Sequence, residues 1–228
     1  MTTAQAIIFD SSTLISLAMN GLLPELKNLK EIFNGKFMIT KEVKYEVIDK
    51  PLTIKKFELE ALKLKQLLDD KILEMPKSLG IDEALITKKS NEIMNIANTT
   101  FQARERDIHL MDMGESSCLV LGRILDEKKI KNVLAVDERT MRMFVEKPEN
   151  LGSLLQNKLH TRINSRRENF KYFKGFKVIR SAELVYIIYK KNLTKLKNGS
   201  VLDALLWAVK FKGCSISDKE IQEIENLS

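Results

Sequence analysis

Four acids carry most of the chemical content of this sequence: Asp10, Glu46, Glu115 and Asp137. Asp10 ends the apolar run Ala6-Ile7-Ile8-Phe9, and Asp137 ends a second run, Val133-Leu134-Ala135-Val136. Such short apolar runs read as buried strands. A carboxylate at the carboxyl end of a buried parallel strand faces the crevice where α/β folds bind ligands. Glu46 and Glu115 lie early in segments patterned as helices. Acids gathered in one crevice repel each other unless a cation joins them. An all-oxygen ligand set suits Mg²⁺ or Mn²⁺. Such an ion keeps several waters, one of which can serve as nucleophile on a phosphodiester, and two ions ~4 Å apart can steady the attacking and leaving oxygens. Ser12, two residues beyond Asp10, would hold a metal water or orient Asp10.

Each acid also has an ordinary structural reading. Asp10 and Asp137 are good helix N-caps. Glu46 suits a solvated helix face. Glu115 sits in a first helical turn, where a negative charge favours the helix dipole. The chemical reading rests on the set of four and its order.

The elements that must position these residues follow from periodicity and turn signals. Strands are expected at Ala6–Phe9, Phe37–Ile39, Ile72–Met75, Val133–Val136 and Phe176–Ile179. Helices are expected at Ser12–Asn20, Leu22–Phe33, Lys41–Lys50 (capped by Thr40, stopped by Pro51), 55–70, 81–108, Gly114–Glu127, Arg139–Val145, Ala182–Lys191, Val201–Lys212 and Ser217–Leu227. Strands alternating with helices argue for a doubly wound α/β fold on a mainly parallel sheet. No linker rich in Gly, Pro or Ser divides the 228 residues, so one domain is expected, with a helical insertion around 55–110 and a basic insertion around 148–175.

The formal net charge is +7. Residues 151–180 carry eight basic side chains against Glu168 alone, so the whole excess sits in that block and the rest of the chain sums to zero. A local basic block commonly marks a polyanion partner; it can equally be a solvated face. Lys158, Arg162, Arg166, Arg167, Lys171 and Lys174 are the nucleic-acid-binding candidates. Phe170, Tyr172, Phe173 and Phe176 interleave with them, either as stacking platforms for bases or as the apolar face that docks the segment. Cys118 and Cys214 are expected to be buried thiols in a reducing, cytoplasmic setting. Two histidines, His109 and His160, exclude a His-rich metal site. The opening Met1-Thr2-Thr3-Ala4-Gln5 lacks the basic region of a secretory leader, and no stretch reaches membrane-spanning length.

Ile7-Ile8-Phe9-Asp10-Ser11-Ser12-Thr13-Leu14-Ile15 resembles the opening of a PIN domain, where a strand delivers the first Asp and a small polar residue follows two positions later. Thr40 to Val47 resembles that family's second motif and points to Glu46 rather than Glu42. Gly114-Glu115-Ser116-Ser117 resembles the third, in an archaeal and bacterial branch. Leu134-Ala135-Val136-Asp137-Glu138-Arg139 resembles the fourth. The third motif departs from many relatives in having Ser117 where a second Glu is common.

The resemblance implies a three-layer α/β/α fold with a five-stranded parallel sheet and Mg²⁺- or Mn²⁺-dependent cleavage of single-stranded or structured RNA. It implies Asp10, Glu46, Glu115 and Asp137 as the acidic cluster, with Asp112 and Glu138 as extra ligands and Arg139 touching phosphate or pairing with an acid. Many small members are toxins with an antitoxin; this chain is larger than those. An antitoxin-like partner and a homodimer are left open. A competing reading keeps the fold without catalysis, as a module binding RNA, pre-ribosomal RNA or the ribosome. A phosphatase of haloacid-dehalogenase type would want a second Asp where Ser12 stands, and no Gly-rich turn supports a dinucleotide site.

Overall fold

A computed structural model describes residues 5–197 and 199–227. The opening Met1–Ala4, read above as lacking a leader's basic region, lies outside them. The chain builds a five-stranded, all-parallel sheet flanked by helices in a three-layer α/β/α arrangement. Its strands are β1 (Gln5–Phe9), β2 (Lys36–Met38), β3 (Leu73–Glu74), β6 (Lys131–Ala135) and β8 (Val178–Ile179), in the order β3-β2-β1-β6-β8. Strands of such a sheet are buried on both faces. Ile8, Phe9, Phe37, Met38, Leu134 and Ala135 are accordingly sealed from solvent.

Around the sheet, α1 (Ser11–Met19), α2 (Leu23–Ile32), α4 (Glu58–Asp69) and α9 (Ser181–Lys190) pack with one another. Next to β1 and β6 lies α6 (Met113–Glu127), flanked by α3 (Lys41–Lys44) and α5 (Glu83–Asn98). The turn from α1 to α2 needs Gly21, whose φ of 70° a side chain would strain. Outside α9 lie α10 (Val201–Phe211) and α11 (Asp218–Asn226). No helix among the described residues is long and apolar enough to cross a membrane. Both cysteines are free and buried.

Three expectations need correction. The segment 81–108 is not helical throughout. Helix α5 ends at Asn98, and a hairpin of β4 (Phe101–Ala103) and β5 (Arg106–Asp107) follows. Its two-residue turn is Arg104-Glu105, both at positive φ (49° and 65°). Such a turn usually announces itself as Asn-Gly, so the sequence carried no signal for it. Second, the helix expected at Lys41–Lys50 changes after Lys44 into a π-turn over Tyr45–Asp49, where the Lys50 amide donates to the Tyr45 carbonyl at 2.9 Å. Third, residues 55–75 are not an insertion, because α4 packs on the sandwich and β3 is the edge strand of the main sheet.

The basic segment contains α8 (Pro148–Leu159), β7 (Ile163–Ser165) and a 3-10 turn over Arg167–Tyr172. Strand β7 pairs antiparallel with β4, so the two extra segments share one small sheet in the order β5-β4-β7. Aromatic rings hold this lobe to the body after α7 (Arg139–Glu146). Phe144 stacks on Phe173 at 4.1 Å between centroids, and Phe101 meets Phe144 at 6.0 Å and Phe170 at 5.8 Å. Phe170 and Phe173 are therefore the docking face of the block, not platforms for bases; Tyr172 is the exposed ring among the four. Phe173→Ala is expected to destabilise the protein by about 3–5 kcal/mol. Urea unfolding would measure this, with faster proteolysis within 160–175 as the local sign.

Candidate functional site

Asp10 leaves β1 and caps α1. Its Oδ2 accepts from the Ser12 amide at 3.0 Å and from the Ser12 hydroxyl at 2.6 Å. Capping thus occupies one oxygen, while the buried Oδ1 has no hydrogen-bond partner. A buried carboxylate oxygen left unpaired is expensive. The Asp10 amide donates to the Ala135 carbonyl at 3.0 Å, carrying the β1–β6 pairing one residue past the strand. The Ser12 hydroxyl also accepts from the Asp137 amide at 3.1 Å, so one side chain joins the ends of both strands.

Glu46 rides on the π-turn, a distortion frequent at functional sites. Its carboxylate presses against the backbone of Gly114: a Cβ there would lie 2.6 Å from each Glu46 carboxylate oxygen. That close approach explains the glycine before Glu115. Glu42 accepts from the Thr87 hydroxyl through Oε1, and its buried Oε2 also lacks a partner. Ser117, which replaces an expected acid, has a structural duty. Its hydroxyl donates to the Gly114 carbonyl at 2.6 Å, leaving its oxygen to accept from the Thr40 hydroxyl at 2.6 Å. Thr40 in turn accepts from the Val43 amide at 3.2 Å, as its capping role predicts. Two hydroxyls therefore tie the start of α3 to the start of α6.

Glu115 reaches back to accept from the Asp112 amide at 3.0 Å. Burial, then the nearby Asp10 charge, pushes its carboxyl up to about 8. Burial also raises Asp10 and Glu46, with Asp10 adding to the rise at Glu46. Asp10, Glu46 and Glu115 thus share one electrostatic environment, into which Asp112 and Glu138 add further negative charge. Asp112 is exposed and lies 2.7 Å from His109 Nε2. Glu138 caps α7, accepting from the Met141 amide at 2.6 Å. Arg139 is exposed at the start of that helix, with no ion pair among the described residues.

Asp137 is turned to a different task. Its Oδ1 accepts from the Ser181 amide and its Oδ2 from the Ser181 hydroxyl, both at 2.7 Å. It fastens the end of β6 to the start of α9, with burial still raising its carboxyl. The neighbouring Cys214 thiol is pushed up to about 12 by burial and by Asp137, so it is inert. Sequence reasoning missed Ser181, which no motif marks, and Arg180. Arg180 belongs to the basic block by position, yet it pairs with Glu183 and with Glu220 (2.7 Å) and donates to the Ser215 carbonyl.

The donor set of Asp10, Glu46 and Glu115 is oxygen only, and the orphaned Asp10 Oδ1 is a vacant ligand atom, so these residues fit Mg²⁺ or Mn²⁺. Among the described residues no three His, Cys, Asp or Glu side chains are drawn close enough to grip an ion as they stand. An apolar groove of about 430 Å³ adjoins Glu46, bordered by Ile15, Met19, Ile54 and Phe57.

Gly114→Ala is expected to keep the fold, because the Glu46 carboxylate can swing away, but to weaken Mn²⁺ binding; calorimetric titration beside a melting curve would separate the two. The raised carboxyls also set a pH dependence. Between the ordinary value of 4.5 and about 8, Glu115 holds a proton in the folded state and not in the unfolded one. Stability in EDTA should therefore fall as pH rises through that window. Glu115→Gln should flatten the fall, and Mn²⁺ should oppose it. Melting temperatures across the window, with and without the ion, check the sign. No family model, no curated protein and no solved structure matches this chain.

Proposed function

We propose that the chain is a PIN-like, Mg²⁺- or Mn²⁺-dependent endoribonuclease of the cytoplasm, hydrolysing RNA phosphodiester bonds at the Asp10–Glu46–Glu115 crevice. One observation carries the reading: three carboxylates from separate elements share one environment, with a buried Asp10 oxygen left without a partner. Burial holds protons on these acids, and their ionised forms are costly there unless a positive charge offsets them, which a divalent ion would do.

A divalent ion bound there supplies Lewis acidity for phosphodiester hydrolysis. Ser12 fixes the Asp10 rotamer by holding Oδ2, and the unpartnered Oδ1 would be the oxygen that takes the ion. Glu46 and Glu115 would be the other ligands, with Glu138 and Asp112 at the margin. Asp137 acts by holding the strand end in place through Ser181. Arg139 offers a guanidinium free of acidic partners to an RNA phosphate. Lys158, Arg162, Arg167 and Lys171 supply the charge that retains the strand.

End-labelled RNA, single-stranded and structured, incubated with Mn²⁺, Mg²⁺ or EDTA, tests the reading. Asp10→Asn and Glu115→Gln should lower metal-dependent cleavage by more than about 100-fold, beyond the usual loss of an outer partner of a metal site. RNA affinity should be largely unchanged. Wild-type cleavage by either variant refutes the assignment. Asp137→Asn can keep both hydrogen bonds to Ser181, one by accepting and one by donating, so it separates charge from fastening; Asp137→Ala removes both.

The use of both Asp137 oxygens by Ser181 favours a second reading, a non-catalytic RNA- or ribosome-binding module of the same fold. RNA retention unchanged by EDTA, without turnover, would select it.

A further inference from the structure

We propose that the small sheet β5-β4-β7, with the cleft beside it, is the platform that receives single-stranded RNA, using Arg104, Arg162 and Lys158 on phosphates and Gln102 and Asn164 on base edges. The proposal rests on the RNA reading above and names the surface that serves it.

The platform draws on two distant parts of the chain. In the β4–β7 pairing, Phe101 stands opposite Ser165 and Gln102 opposite Asn164. Side chains alternate between the faces of a strand. Phe101 is buried against Phe144 and Phe170, so the face bearing Gln102 and Asn164 looks outward. Arg162, two residues from Asn164, extends that face and is exposed. The Gln102 amide donates to Asp107 at 2.9 Å and keeps its carbonyl oxygen to accept, and Asn164 is exposed; amides of this kind suit the edges of unpaired bases.

The turn adds an independent observation. Arg104 and Glu105 both occupy the left-handed region, which side chains other than Asn and Gly enter at a cost. A turn chosen for shape alone would carry Asn-Gly. Retaining arginine in a strained turn points to work for its side chain.

Charge pairing then sorts the basic residues. Arg104, Arg106, Lys158, Arg162 and Arg167 are exposed and have no acid within ion-pairing distance among the described residues. Arg166 differs: it donates to the Thr99 carbonyl at 2.8 Å and lies 3.8 Å from Asp107, so it braces the lobe. Lys174 lies 3.7 Å from Glu149. Beside β7, an open cleft of about 930 Å³ is lined by Gln156, Asn157, His160, Thr161 and Arg162. None of these is an apolar side chain. That composition is unlike the apolar centre of a protein interface and suits a polar, anionic strand.

The test is fluorescence anisotropy with fluorescein-labelled single-stranded RNA of about 16 nucleotides, in EDTA, over a series of salt concentrations. Wild type is compared with Arg162→Glu and with the double variant Arg104→Asn/Glu105→Gly. The double variant leaves net charge unchanged and installs the dipeptide its turn prefers, so it should melt no lower than wild type. It should nevertheless bind several-fold more weakly, with a log–log salt slope shallower by about 0.7, the share of one phosphate that Arg104 no longer neutralises. Arg162→Glu should behave likewise. Unchanged affinity and slope in both variants overturn the platform, as does competition by poly-glutamate as effective as that by RNA. Cleavage of the same RNA in Mn²⁺ separates the two proposals. Weakened binding without cleavage by wild type upholds the platform and sinks the nuclease. Metal-dependent cleavage with binding unaffected in both variants does the reverse.

Discussion

The register between β1 and β6 governs everything at the crevice. Phe9 pairs with Ala135, and the Asp10 amide then continues the ladder to the Ala135 carbonyl, which brings the ends of the two strands level. Ser12 closes that junction by serving Asp10 and the Asp137 backbone with one hydroxyl. A slip of one residue would send each side chain to the opposite face. Both faces are buried, so Ile8, Phe9 and Leu134 would stay covered but meet the wrong neighbours, and it is the fit of the packed core that resists the slip.

A second constraint acts between helices. The backbone at Gly114 leaves room for the Glu46 carboxylate, and the Thr40–Ser117 hydroxyl pair holds the two helix starts at that separation. The π-turn is what lets Glu46 arrive there after α3 has already packed against α6. Packing and electrostatics oppose each other here. Apolar packing forces acids together, and burial raises their carboxyls. The fold tolerates this because the surrounding core is large and continuous.

Much of this was legible in the sequence. Apolar runs ending in Asp marked β1 and β6, since strands buried on both faces cannot hide polar residues within them. Thr40 announced its helix, and the order of strands and helices gave the parallel sheet. What stayed illegible depends on interactions between distant residues. Nothing in Arg104-Glu105 signals the turn that closes β4 on β5, and the distant β7 completes that small sheet. The split duty of Asp10, one oxygen capping and one orphaned, cannot be read from a residue type. Nor can the attachment of Asp137 to Ser181, a partner forty-four positions on. Arg180 looked like part of a basic surface and is half-buried between two glutamates instead.

The small sheet also bears on how the chain folds. Its central strand β4 is made early, but its partner β7 follows only after β6, α7 and α8. Long-range pairing of this kind is slow, because the loop must close before the pairing rewards it. While the chain grows from its amino terminus, β4 has only the two-residue β5 beside it, and Phe101 lacks the rings of Phe144 and Phe170 that later cover it. The lobe therefore locks only once β7 and the turn after it have been made, shortly before β8 and α9 complete the main sheet. Until β7 docks, one edge of β4 remains open to any passing strand, and premature termination before Ile163 leaves that edge unpaired.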